Sequence, residues 1–162
     1  LLCVPNKCII FIMIEKRRYI RDGRSPIPKN PITSRIMSAI RAKHTQPEKA
    51  LRKALNQIGL NDYKLHLKGL PGKPDIGFLK KRVAIFVNGC YWHRCPFCKP
   101  ALPKSHRSFW QKKFIKNRMR DKQKLALIKK LGWKTKVVWE CQLKKNPAYV
   151  ANQIAKLMRG YK

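Results

Sequence analysis

Apolar positions along the chain follow two periods, and each marks its own elements. Ile36, Met37 and Ile40, then Leu51, Ala54, Leu55 and Ile58, recur at helical spacing. Thr45 ahead of Gln46-Pro47-Glu48 supplies a hydroxyl N-cap, a proline in the first turn and an acid at the third position, and Gly59 closes the helix. The segment 63–67, YKLHL, alternates and predicts a strand. A turn, GLPGKP over 69–74, leads to two short apolar strands, 76–79 and 82–87, joined by a basic hairpin turn. Residues 94–107, rich in Pro and Cys, predict a loop. Helical spacing returns over 108–131 through Phe109, Trp110, Phe114, Ile115, Met119, Leu125, Leu127 and Ile128, and Gly132 stops it. KTKVVWE at 134–140 predicts a buried strand, and 147–159 a last amphipathic helix. The order α-β-β-β-α-β-α predicts an α/β sandwich with a mixed sheet and a site at strand ends.

The first 33 residues follow neither period. Residues 1–12 form a short apolar run that contains a proline and lacks a basic segment ahead of it, unlike a signal peptide. They are expected to be a translated upstream stretch or a dispensable extension. Residues 13–33, with prolines at 26, 28 and 31, predict a flexible basic arm. A single domain is expected over 34–162.

Charge changes the picture most. The 162 residues carry 39 Lys+Arg against 7 Asp+Glu, a formal net charge of +32. Such an excess calls for a polyanionic partner, because neutralising phosphates releases counterions. No stretch approaches the roughly 20 apolar residues that span a bilayer. Nucleic acid is therefore favoured over anionic lipid. With so few acids, each of Glu15, Asp22, Glu48, Asp62, Asp75, Asp121 and Glu140 is a candidate for charge balance or chemistry.

Candidate chemistry concentrates in 71–98. Cys90, Cys95 and Cys98 offer three thiols from one loop, and Cys141 a fourth from the end of the next predicted strand. Four thiolates suit a closed, structural zinc site, with His93 and His106 as alternative ligands. Asp75 follows Pro74 at a strand start, where metal-dependent nucleases place a magnesium-binding carboxylate; a Pro-Asp turn is the plainer reading. The next strand, ending Phe86-Val87-Asn88, brings neither a second acid nor a lysine, so the Val87 carbonyl is the candidate second ligand. His93 is then the nearby base, or else a zinc ligand. Tyr91 and Trp92 could wedge between bases beside such a site, joined by Trp110, for which core packing is the alternative.

Together these residues resemble a known family. Ser34-Arg35-x-Met37, Thr45-x-Pro47-Glu48, Leu70-Pro71-Gly72-Lys73-Pro74-Asp75, Val83-x-Ile85-Phe86-Val87, Gly89-Cys90-Tyr91-Trp92-His93, Phe109-Trp110, Lys116-Asn117-x3-Asp121, Leu131-Gly132-Trp133 and Val138-Trp139-Glu140-Cys141 match, in order and spacing, the very short patch repair endonucleases of bacteria. These are strand-specific nickases acting at T·G mismatches. The resemblance spans about 34–144. It implies a restriction-endonuclease-like fold, related to the PD-(D/E)XK nucleases: a three-layer sandwich with a central mixed sheet and a structural zinc. It implies magnesium-dependent phosphodiester hydrolysis, with Asp75 as metal ligand, His93 as catalytic histidine and Glu48 as a helical glutamate assisting the site. Cys90, Cys95, Cys98 and Cys141 fall where the family holds zinc. Tyr91, Trp92 and Trp110 match its aromatic wedge, and Asn117 and Asp121 its supporting polar residues. The implied setting is a monomeric, cytoplasmic bacterial enzyme on double-stranded DNA, alongside mismatch-repair proteins. Two departures are visible. Val87 stands where the best-studied members have threonine, and many members have histidine at the position of Cys95 or Cys98. A related restriction-type or mobile-element nuclease, and a zinc-stabilised DNA-binding module without catalysis, remain as alternatives.

Overall fold

The computed structural model describes residues 26, 31–40 and 43–160, the Thr33 side chain excepted. Nearly all of the expected basic arm, with Cys3 and Cys8, lies outside the described residues. The elements are α1 (Pro31–Ala39), α2 (Gln46–Gln57), β1 (Lys64–Leu65), β2 (Ile76–Phe78), β3 (Val83–Asn88), α3 (Arg107–Lys130), β4 (Lys134–Trp139), α4 (Glu140–Lys145) and α5 (Pro147–Arg159). The four strands form one mixed sheet in the order β1-β2-β3-β4. β1–β2 and β2–β3 are antiparallel, whereas β3 and β4 run parallel, with α3 as the crossover.

The pairing register decides what each face buries. Ile76 sits opposite Ile85, Phe78 opposite Val83, and Val87 opposite Val138. All six of these fully or partly buried apolar partners pack in one cluster with Leu51 and Leu55 of α2, Leu143 of α4, and Val150 and Ile154 of α5. By alternation Ala84 and Phe86 point to the other face, where α3 packs against β4 and buries Ile128. Gly77 leaves room for Leu67, whose side chain would have to move for a Cβ there, since its Cδ1 would lie at 2.0 Å. Gly72, at φ +77°, turns the chain ahead of β2, where a Cβ would meet Lys124 and Phe86 side-chain atoms at 3.1 and 3.2 Å.

Four expectations change. The strand over 63–67 shrinks to Lys64–Leu65, because His66 takes a left-handed backbone (φ 50°) that ends the pairing. The strand expected to be buried over 134–140 buries only Val138 fully, since β4 closes the sheet as an edge. A short helix, α4, starts at Glu140, its first turn held by Gln142 Oε1 accepting from the Trp139 amide at 3.1 Å. Finally, α1 begins at Pro31, inside the segment expected to be an arm, and its Ile36 and the following Ile40 are exposed rather than core. Likewise Ile115, Met119 and Leu127 of α3 are exposed, and only Trp110, Phe114 and Ile128 of that helix are buried.

Candidate active site

One cleft gathers residues from the start of α2, the β2–β3 hairpin, the turn after β3, α3 and the end of β4. Its lining includes Glu48, Asp75, Val87, Trp92, His93 and Asp121. At about 420 Å³ it has room for on the order of ten waters, enough for a phosphodiester and a hydrated ion.

Asp75 is held at the mouth of the hairpin. Its amide donates to the Ile85 carbonyl at 3.0 Å, and its Oδ2 accepts from the Val87 amide at 2.7 Å. Val87 therefore meets the carboxylate through its backbone, which a valine supplies as well as a threonine. Burial pushes the Asp75 pKa up; the Val87 amide opposes this, the nearby Glu48 charge adds to it, and His66 and His93 oppose it weakly. A carboxylate ionised in such surroundings favours a cation, and its hard oxygens suit magnesium.

Glu48 is the one buried charged residue among those described, 6% exposed. It caps its own helix: Oε1 accepts from the Thr45 amide at 3.2 Å and hydroxyl at 2.8 Å, and Oε2 from the His44 amide at 3.0 Å. Those bonds fix a negative charge beside Asp75.

His93 lies in the turn after β3, and its Nδ1 is 2.6 Å from Asp121 Oδ2 on α3. An ionised carboxylate only accepts, so Nδ1 carries a proton toward Asp121, and the tautomer that pairs with it leaves the lone pair on Nε2. Asn117, one turn earlier on α3, donates to the Trp92 carbonyl at 3.3 Å and accepts from Arg120 at 3.0 Å. Both supporting residues thus fasten the turn that bears His93.

The aromatics form a chain across the face behind the cleft. Tyr91 meets Trp92 and Phe114 edge to face, Trp92 lies 5.9 Å from Trp110, and Trp110 stacks on Phe114. Trp92 lines the cleft and is half-buried, whereas Trp110 is buried behind it, with Lys113 over its ring at 5.2 Å.

The sulfurs of Cys90, Cys95, Cys98 and Cys141 all lie within 4.8 Å of one another, and none forms a disulfide. Cys95 and Cys141 Sγ are 3.6 Å apart. Tetrahedral zinc with Zn–S bonds of about 2.3 Å separates its sulfurs by about 3.7–3.8 Å, so the cluster fits zinc. Neither His93 nor His106 is in it. Burial raises the Cys90 and Cys141 thiols. Burial also opposes ionisation of Cys95, but the Cys98 and Phe97 amides and the neighbouring thiols outweigh it and bring that pKa down. Loss of one ligand should open the site: Cys141→Ala is expected to release zinc, read by metal analysis, and to expose the 88–107 loop to proteolysis. Full zinc retention would remove Cys141 from the ligand set.

Glu140 was legible as one of few acids and within the Val138-Trp139-Glu140-Cys141 match, but without a role. It lines the cleft, and its Oε2 accepts from the Cys90 amide at 3.3 Å while Oε1 pairs with Lys144 at 2.7 Å. That bond to Lys144 holds its pKa below the usual carboxylate range against burial, with the Cys90 amide helping. Glu140 thus joins the zinc loop to the cleft. Lys73 and Lys124 also line the cleft, supplying cations that β3 does not.

A cleft with an Asp–His pair, a buried carboxylate and a neighbouring four-cysteine cluster, on a mixed α/β sheet, has the parts of a hydrolytic site. Residues 29–99 match the family model described as DNA mismatch endonuclease Vsr. The type II nicking enzyme V.XorIIP of Xanthomonas oryzae pv. oryzae is 44% identical over 108 residues, covering 67% of this chain and 79% of that protein. V.NmeAIP, a type II nicking enzyme of Neisseria meningitidis serogroup A, is 38% identical over 127 residues, 78% of this chain and 89% of its own. DNA mismatch endonuclease Vsr of Escherichia coli K12 is 35% identical over 111 residues, 68% and 70% of the two chains. The chain belongs to the Vsr family of DNA endonucleases. Among the described residues no helix is long and apolar enough to cross a membrane.

Proposed function

We propose that this endonuclease nicks one strand of double-stranded DNA at T·G mismatches, as a monomer on a restriction-endonuclease-like three-layer sandwich, in very short patch repair. The observation that carries the catalytic part is the 2.6 Å His93–Asp121 pair in the same cleft as Asp75. Asp75 and the Val87 carbonyl would hold magnesium, which would supply positive charge to polarise the scissile phosphoryl group. Asp121 keeps the proton on His93 Nδ1, so Nε2 accepts the proton of the attacking water. Glu48, immobilised by its capping bonds, orders water near Asp75. The basic surface holds the backbone on either side of the cut.

Tyr91, Trp92 and Trp110 form the wedge that opens the duplex beside the mismatch. Trp92 is foremost because it lines the cleft, and Trp110 backs it. Trp92→Ala should weaken binding of a T·G duplex by about 1–3 kcal/mol, the range for a base–aromatic stack. Zinc content and melting temperature should stay near wild type; an unfolded variant would make Trp92 core instead.

The deciding experiment incubates magnesium and the purified chain with end-labelled duplexes differing only in T·G against T·A. A nick confined to the T·G duplex supports the proposal. Equal cutting of both makes the chain a related nuclease with another target, and no cutting with retained binding makes it a DNA-binding module.

A further inference from the structure

A second set of metal-ligating side chains stands apart from the thiols: His44, Glu48 and His66. One ligand atom from each lies within 4.8 Å of the other two. They come from two elements. His44 and Glu48 sit at the start of α2, and His66 follows β1, its amide donating to the Asp75 carbonyl at 3.0 Å. The two imidazoles meet edge to face with centroids 4.9 Å apart.

His66 Nε2 is the telling atom. It is shut off from water and has no hydrogen-bond partner. Its nearest acceptor, Glu48 Oε2, is 3.8 Å away, too long for a hydrogen bond. A buried nitrogen in that state is unusual and calls for a missing partner. Two donors bound to one ion at about 2.0–2.1 Å each lie about 3.3–3.5 Å apart in a tetrahedral site, within a few tenths of an ångström of this gap. Glu48 Oε2 accepts one amide bond and keeps a lone pair for a ligand.

We infer that His44, Glu48 and His66 form a second metal site, for a divalent transition ion of the zinc and cobalt class. Two imidazoles and one carboxylate are borderline donors that suit such ions and not magnesium. The start of α2 and the nearby Arg52 oppose any cation, so only a strongly coordinated one stays. His44 is exposed, which gives the ion a way in and leaves a coordination position to water. Arg52 Nη1, 3.4 Å from His44 Nδ1, competes for that imidazole and swings aside on binding. Because Glu48 also lines the catalytic cleft, the ion ties the cleft wall to the strand edge. The site does not depend on the endonuclease reading, and its test needs no activity.

The test uses the full chain with zinc on its thiols and Asp75→Asn in the background, so that the cleft carboxylate does not compete. Cobalt(II) is titrated in and followed by visible absorption and metal analysis. One further equivalent is expected, with the weak bands of nitrogen and oxygen ligation and no thiolate charge-transfer band. His44→Ala and His66→Gln should each weaken that equivalent at least ~10-fold, since removing even an outer-shell partner costs that much. Arg52→Ala should tighten it. The exposed position of His44 keeps its variant folded and the test decisive if His66→Gln fails. No further equivalent, uptake unchanged in His44→Ala, or a charge-transfer band overturns the assignment.

Discussion

Asp75→Asn is expected to abolish cleavage and, at neutral pH without magnesium, to raise the melting temperature. The two effects share one cause. Burial, with Glu48 adding, lifts the Asp75 pKa above that of the unfolded chain, where an aspartate titrates near about 3.9. Ionising it therefore costs more in the folded state than in the unfolded one. The penalty is absent below the unfolded value, grows as pH rises through the window to the folded value, and is complete above it. Asparagine escapes the penalty yet still accepts from the Val87 amide. It cannot, however, supply the charge that magnesium needs. Melting curves from acid to neutral pH, with and without the substitution, should coincide in acid and separate as pH rises. Binding of uncut T·G duplex should survive. A variant less stable than wild type at neutral pH would mean that the Val87 bond outweighs burial, and that the cleft is not poised for a cation.

His93→Ala should slow single-turnover cleavage by roughly 10²–10⁴-fold, the usual contribution of a positioned acid–base group. Asp121→Asn should cost less, because the imidazole remains but is no longer held in one tautomer. The pair should behave as a unit: the double variant is expected to be no slower than His93→Ala alone. Exogenous imidazole should recover part of the rate in His93→Ala and none in Asp75→Asn. Additive losses would show that Asp121 acts on the reaction separately from His93, and wild-type rates in His93→Ala would remove the histidine from the chemistry.

Local signals in the chain foretold the site better than its surroundings. Thr45 and Glu48 announced the start of α2, and their side chains do meet there. The thiol spacing foretold a cluster that forms with all four cysteines. What escaped was whatever depends on tertiary context. Apolar Ile36, Ile115 and Met119 keep helical spacing yet stay exposed, since periodicity reports a face and not what covers it. Six residues of α4 are too few to show a period, and its only buried residue is Leu143. The left-handed turn at His66 cut β1 short, and although histidine adopts that conformation more readily than most residues, nothing local required it there. Glu140 could not be placed in the cleft because that requires knowing that β3 and β4 are parallel neighbours.

The parallel pairing of β3 with β4 also sets an order of events during synthesis. The β1–β3 hairpins are local and close as soon as they emerge, bringing Asp75 to Val87. Parallel strands need a long crossover and pair late. β4 and Cys141, which lies just beyond it, are made after all of α3, so a chain still growing on the ribosome has three of the four clustered cysteines and lacks the last. Its His93 turn lacks the Glu140 anchor on the Cys90 amide until the same moment. The nascent protein thus has Asp75 against Val87 before the Cys90 amide is anchored by Glu140, and the proposed catalytic cleft is complete only once the sheet is closed.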